Sequence, residues 1–378
     1  MKITSVSARV LAAKPERAVE FAIGTFDVFS CVLVEIRAED GTVGYGEAMT
    51  RRGPHMTKAA VESLLAPVLI GKDLFNIEGL WLECMNRLRR WGHSRGVVME
   101  AISGVDIALW DLAGKLLQKP VWQLLYGVGR KDIPCYASSV YIKDREQMCR
   151  EAAEQVARGF RAVKIKIGRS RELSVVHEDI RNVQAIRETV GPDVDLMIDA
   201  NGAYDAATAI RVSRALEATE ISWFEEPVPP DDLDGYARIH AMTSVPLATG
   251  ETEFSVFGFR ELFGRGLIDV AQPDTARSGG ITGARHTALL AFAHNKAFAP
   301  HTGFSGGLSQ LSALHVAAAA PVLTTFEYMF IDNPLRNIFE GGFPEAVNGF
   351  VRVPEKPGLG LELDWPKIER FTAPDAVD

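Results

Sequence analysis

A chain of 378 residues with 47% hydrophobic content is long enough to bury a sizeable core in one large domain beside a smaller one. Its net charge of −8 speaks against nucleic acid or an anionic membrane as partner, since both need basic patches, yet permits a small carboxylate substrate in a locally cationic pocket. The four cysteines, Cys31, Cys84, Cys135 and Cys149, lack paired spacing, and neither a signal-like segment nor a membrane-length apolar run is visible, so a reduced, cytoplasmic protein is expected.

The first fifty residues read as strands. Cys31 to Arg37 is β-branched and apolar, Asp40-Gly41 is a hairpin signal, and Thr42 to Glu47 returns as a second strand. Helical patterns follow over Thr57 to Leu69, Ile77 to Leu88 and Met99 to Leu117, the last extended by Val121 to Leu125 before Gly127 and Gly129 break it. Strands first and helices after them predict an α+β module over residues 1–127.

From Pro134 the rhythm changes. Strand candidates begin near Cys135, Ala162, Asp195, Ser222, Val245, Leu267, Ala297 and Thr324, separated by helix-sized segments. Eight strands with seven intervening helices fit an α/β barrel over residues 128–340 better than an open sheet. The Pro- and Gly-rich stretch 341–378 reads as irregular structure packing back on the first module.

Charged residues stand at or just past the ends of these strands. Asp199 follows Leu196-Met197-Ile198, Glu225 follows Trp223-Phe224, and Glu251 follows Thr249-Gly250. A carboxylate straight after a buried strand is costly unless something pairs with it, and three converging at a barrel mouth suit a hard divalent cation. Any one of them alone reads as a solvated loop residue or helix cap; three strand ends in succession do not. Lys164 and Lys166 are two apart on one strand and so share a face. If that face is the interior, each lowers the other's pKa and one becomes a base near neutral pH. Asp274 and His301 end successive strands, so the aspartate can fix the imidazole through Nδ1 and leave Nε2 to move a proton. Glu327 follows Thr324-Thr325-Phe326; kept neutral by apolar burial, it could donate a hydrogen bond to a developing oxyanion. Arg51, Arg52 and His55, after Glu47, are either surface residues or binders of hydroxyls or a distal carboxylate, while Phe21, Ile23 and Phe26 give another loop an apolar side. The run Ser278-Gly279-Gly280-Ile281-Thr282-Gly283 resembles a phosphate loop only loosely and lacks the lysine.

Together, Val163-Lys164-Ile165-Lys166, Met197-Ile198-Asp199-Ala200-Asn201, Phe224-Glu225-Glu226-Pro227, Gly250-Glu251, Asp274 and His301 resemble the enolase superfamily and, within it, the mandelate racemase group. The resemblance covers essentially the whole chain. It implies an α/β fold built as a modified TIM barrel, (β/α)7β, under an N-terminal α+β capping domain, with the C-terminal segment returning to that cap. It also implies Mg²⁺ held by Asp199, Glu225 and Glu251, and Lys166 as base on one face of the substrate, with Lys164 lowering its pKa and polarising a carboxylate oxygen. His301, oriented by Asp274, would be the acid or base on the opposite face; Glu327 would hydrogen-bond the substrate carboxylate, and Asn201 would join the substrate contacts. The implied partners are a small carboxylate substrate and further copies of the chain in a homo-oligomer. The implied reaction removes the proton α to a carboxylate and eliminates water from an acid sugar, giving a 2-keto-3-deoxy acid; racemisation or epimerisation uses the same two bases. A non-catalytic binding protein would have lost a metal or base position, and none is lost.

Overall fold

The computed structural model describes residues 1–22 and 24–373, which leaves Ile23 and the end of the tail, 374–378, outside the described residues. The chain opens with β1 (Ile3–Ala13), a short hairpin of β2 (Val19–Phe21) and β3 (Gly24–Phe26), then β4 (Phe29–Ala38) and β5 (Val43–Met49). Strands β1, β4 and β5 form an antiparallel sheet. Helix α1 (Pro54–Ala60) runs through a π turn at Val61–Leu65 into α2 (Ala66–Leu69), followed by α3 (Ile77–Arg89) and α4 (Val97–Leu116). α4 lies directly on β5, and the approach requires glycine: a Cβ at Gly46 would sit 2.1 Å from the Gly104 carbonyl oxygen. The expected extension of α4 through Leu125 does not form. Gln118 turns left-handed at φ 53° and Pro120 forces the chain extended, so α5 (Val121–Leu124) starts afresh.

The barrel alternates strand and helix throughout. Its elements are β6 (Asp132–Val140), α6 (Arg145–Ala157), β7 (Ala162–Lys166), α7 (Leu173–Val190), β8 (Asp195–Asp199), α8 (Ala206–Ala215), β9 (Trp223–Glu225) and α9 (Leu233–Met242). They continue with β10 (Leu247–Thr249), α10 (Val256–Gly264), β11 (Val270–Ala271), α11 (Gly280–Ala293), β12 (Ala297–Phe298), α12 (Gly307–Ala319) and β13 (Phe326–Met329). Each strand pairs in parallel with the next from β6 to β12, and β13 returns beside β6. One backbone bond, Thr324 N–H to the Phe298 carbonyl at 2.9 Å, joins the β12 and β13 sides. The result is the modified TIM barrel, (β/α)7β.

Strand periodicity then decides what faces the axis. An apolar floor of Tyr136, Ala162, Met197, Trp223, Ala248, Val270 and Ala299 fills the interior. Two residues further along, the same face carries Lys164, Asp199, Glu225, Gln272 and His301, because side chains alternate with period two.

The C-terminal stretch is more regular than its composition suggested. A hairpin of β14 (Ala346–Val347) and β15 (Phe350–Arg352) pairs antiparallel with β6, on the barrel. Beyond it the stretch reaches the first sheet, where α13 (Trp365–Phe371) is followed by a bridge from Thr372 to Leu11 and Arg9 lies over the Trp365 ring at 5.6 Å.

Candidate active site

Asp199, Glu225 and Glu251 close three consecutive strand ends, and one oxygen from each lies within 4.8 Å of the others. All three are buried. Neutral donors aim two of them. Asp199 Oδ1 accepts from the Asn201 backbone N–H at 2.8 Å, and Glu225 Oε2 accepts from Gln272 Nε2 at 2.6 Å and from Trp223 Nε1 at 3.3 Å. Glu251 Oε2 is buried with no well-aligned hydrogen-bond donor, although His301 Nε2 stands 3.1 Å away. Three buried carboxylates converging, with Glu251 Oε2 left short of a donor, fit a small divalent cation that prefers oxygen.

Cationic groups flank this cluster. Lys164 Nζ lies 2.7 Å from Glu225 Oε1, 2.8 Å from Glu327 Oε1 and 3.7 Å from Asp199 Oδ2. Lys166 Nζ bonds Asp199 Oδ2. At the other end, His301 Nδ1 is 2.9 Å from Asp274 Oδ2, and Asp274 Oδ1 is held by the Ala276 N–H at 2.9 Å. With Asp274 accepting at Nδ1, the imidazole directs Nε2 at Glu251. Lys166 on β7 and His301 after β12 thus bracket the three carboxylates from opposite sides.

Two expectations change here. Burial lowers the Lys164 pKa, but Glu225, Glu327 and Asp199 outweigh it and hold the ammonium well above its usual value, so this lysine stays charged. Burial likewise raises the Glu327 pKa, yet Lys164, His301 and the Thr302 N–H, at 2.7 Å, bring it down to about 2. Glu327 is therefore a carboxylate that accepts hydrogen bonds rather than a neutral acid that donates one. The same field acts on His301: burial disfavours the imidazolium, but Glu251, Glu327 and Asp274 raise its pKa to about 10. For Glu225, burial wins over Lys164 and pushes the carboxyl up to about 7.

Of the three residues singled out after β5, one reaches the cluster. Arg51 pairs with Glu251 Oε1 and lies 5.6 Å from the Phe304 ring centre. Arg52 is exposed, 6.0 Å from the Phe26 ring, and His55 Nε2 is buried without a partner. Asn201 lies at the cluster, its Nδ2 3.4 Å from Asp199 Oδ2. Phe21 and Phe26 each pack against Phe304 with ring centres 4.5 Å apart and planes tilted by 46° and 47°, and Lys166 Nζ lies 5.5 Å from the Phe21 ring, so an aromatic cover lies over this side of the cluster. Gln272, Trp223 and Phe304 were missed from sequence. For Gln272 the signal was parity, since Val270, Gln272 and Asp274 share a face.

Residues 5–126 match the model of the mandelate racemase / muconate lactonizing enzyme N-terminal domain, and residues 147–367 match that of the enolase C-terminal domain-like proteins. The chain belongs to the mandelate racemase / muconate lactonizing enzyme family. This member of the enolase superfamily is an enzyme, similar along its length to enzymes of known activity. It is 38% identical over 387 residues to D-galactarolactone cycloisomerase of Agrobacterium fabrum, covering 99% of this chain and 100% of the relative. It is 37% identical over 338 residues to arabinonate dehydratase of Saccharolobus solfataricus, covering 88% of each. Among solved family structures, a racemase from Streptomyces coelicolor A3(2) with bound magnesium superposes with a TM-score of 0.88 at 29% identity, covering 98% of this chain and 100% of that one. Among the described residues, no helix is long and apolar enough to cross a membrane.

Proposed function

We propose that this enzyme takes the proton α to the carboxylate of an acid sugar and eliminates water from the β-carbon, yielding a 2-keto-3-deoxy acid. The observation that carries this reading is the convergence of Asp199, Glu225 and Glu251 between Lys166 and His301. Mg²⁺ is the cation the triad suits best. When bound, it would offset most of the charge on the three carboxylates, draw electron density from the substrate carboxylate and weaken the ion pairs that the three make with Lys164 and Lys166.

Lys166 Nζ, once neutral, accepts the α-proton on one face. The electron pair of the broken C–H bond moves into the carboxylate as an enediolate, and the Lys164 ammonium stabilises the charge that develops there. His301, an imidazolium held by Asp274, gives its Nε2 proton to the departing β-hydroxyl, which leaves as water as the enediolate electrons return. The enol then ketonises. Arg51 and Asn201, beside Glu251 and Asp199, would meet substrate oxygens, and the cover of Phe21, Phe26 and Phe304 would keep bulk water from the enediolate. The four unpaired cysteines accord with a reducing cytoplasm, where we place the enzyme as a homo-oligomer.

A second reading is favoured by the similarity to a lactone cycloisomerase. If the β-oxygen belongs to a ring, the same proton removal opens the ring and no water leaves. Incubation with Mg²⁺ in D₂O, using a panel of aldonates, aldarates and their lactones, separates the cases by mass and NMR. Elimination gives a keto acid lighter by one water, whereas cycloisomerisation gives a keto product that has lost none. An epimer carrying deuterium at C2, with no keto acid from any substrate, would overturn the elimination reading in favour of racemisation.

A further inference from the structure

Helices α6, α8 and α9 begin with caps of their own. Asp144 accepts from Gln147 N–H at 2.9 Å, Asp205 from Thr208 N–H at 2.8 Å and Asp232 from Gly235 N–H at 2.9 Å. Helices α11 and α12 start at Gly279 and Gly306, which have no side chain to offer. Their free N–H groups are met by carboxylates from the N-terminal module instead. Asp106, on α4, accepts from the Thr282 N–H at 2.9 Å and from its hydroxyl at 2.6 Å. Glu47, on β5, accepts from the Gly306 N–H at 2.6 Å and the Ser309 N–H at 3.0 Å. The loosely phosphate-like run Ser278 to Gly283 is thus filled by a carboxylate of the same chain.

The fit leaves no room for larger residues. A Cβ on Gly280 would lie 2.3 Å from Asp106 Oδ2, and one on Gly306 would lie 2.8 Å from Glu47 Oε2. Both acids are nearly sealed from solvent, Glu47 at 1% and Asp106 at 2% exposure. Burial pushes each carboxyl up to about 7 against the pull of those N–H groups. Further contacts hold the start of α11: Trp81 Nε1 donates to the Gly279 carbonyl at 2.8 Å, and Ser103 Oγ accepts from the Gly279 N–H at 2.9 Å.

These two helices follow the strands that deliver Asp274 and His301. β11 and β12 are two residues each, and beyond them Asp274 and His301 share only an isolated bridge. Lys166, by contrast, stands within the regular β7–β8 ladder opposite Asp199. We propose that Glu47 and Asp106 are positioning residues, trans-acting caps that fix the starts of α12 and α11 and through them set the Asp274–His301 pair against the carboxylate cluster. The His301 half of the site then depends on these two caps, neither of which touches Asp199, Glu225 or Glu251. This inference rests on the two-base reading above.

The test uses Glu47→Ala, Asp106→Ala and the double variant Glu47→Ala/Gly306→Ser in the full-length protein. Gly306 is extended at φ −75°, ψ −171°, a conformation serine adopts, so the double variant restores a local cap where the distant one is lost. In the single variants we expect kcat to fall by about 10²-fold, as for a displaced catalytic group, with KM and the Mg²⁺ Kd within about twofold of wild type. The His301 Nδ1–H proton resonance should shift or broaden, and the double variant should recover both kcat and the resonance. An unchanged resonance and kcat in either folded single variant would overturn the proposal, as would a folded double variant with no recovery. Should Glu47→Ala fail to fold, Asp106→Ala decides by the same readings. If no acid sugar reacts with the wild type, the proposed function fails, while the resonance still decides the positioning role.

Discussion

His315 gives the sharpest stability prediction. It is fully buried on α12, where Nδ1 accepts from the Trp122 N–H at 3.2 Å and Nε2 donates to the Leu359 carbonyl at 3.0 Å, so it ties together α5, α12 and the C-terminal stretch. Burial lowers its pKa from 6.5 to about 4, and a proton added at Nδ1 would also face the Trp122 donor. The folded pKa lies below the unfolded one, so the unfolded chain binds the extra proton first. The stability this group contributes is therefore complete above pH 6.5 and lost as pH falls to about 4. At about 1.4 kcal/mol per pH unit across that interval, the loss is about 3 kcal/mol. Over 378 residues, with roughly 2.1 cal/mol/K of unfolding entropy per residue, it equals about 4 °C in Tm. The assay is calorimetry of wild type and His315→Gln from pH 4 to 7, read as the difference between the two curves so that other titrating groups cancel. The variant should melt lower at pH 7, and the gap should close by about 4 °C towards pH 4. A gap that stays constant over that range would refute the reasoning.

Gln272→Leu removes the amide that aims Glu225 and should weaken Mg²⁺ binding by about 10- to 100-fold, measured by calorimetric titration; an unchanged Kd would show that Glu225 needs no such support. Phe304→Ala takes the centre out of the aromatic cover and should cost about 3–5 kcal/mol of stability. It should also speed deuterium uptake in β2 and β3, and uptake at the wild-type rate would mean the cover is held by other contacts.

The barrel was legible because most of its strands are apolar runs with a charge at or just past the end, and alternation then places most of those charges on one interior face. Asp199, Glu225, Lys164, Lys166, Asp274 and His301 follow from that rule; Glu251 is out of step with Ala248 and comes into the cluster only because Gly250, at φ 138°, breaks the alternation. Ionisation states did not follow, because they depend on which opposite charge lies within about 3 Å, and the pairing of Lys164 with Glu225 and Glu327 is made across strands far apart in sequence. Arg51 and Arg52 are neighbours with identical chemistry, and only the path of the loop decides that the first turns inward. Glu47 was seen merely as a strand end, since its partners at Gly306 and Ser309 lie some 260 positions away. The β14–β15 hairpin has strands of two and three residues, too short for any periodicity to register.

The most direct trial of the shared cation is thermal unfolding with and without Mg²⁺, for wild type and Glu225→Gln. At a hundredfold excess over Kd the wild type should gain about 2.7 kcal/mol, or about 3 °C in Tm, and Glu225→Gln should lose most of that gain. A wild type indifferent to Mg²⁺, or a variant that gains as much as the wild type, would contradict a metal centre built from Asp199, Glu225 and Glu251.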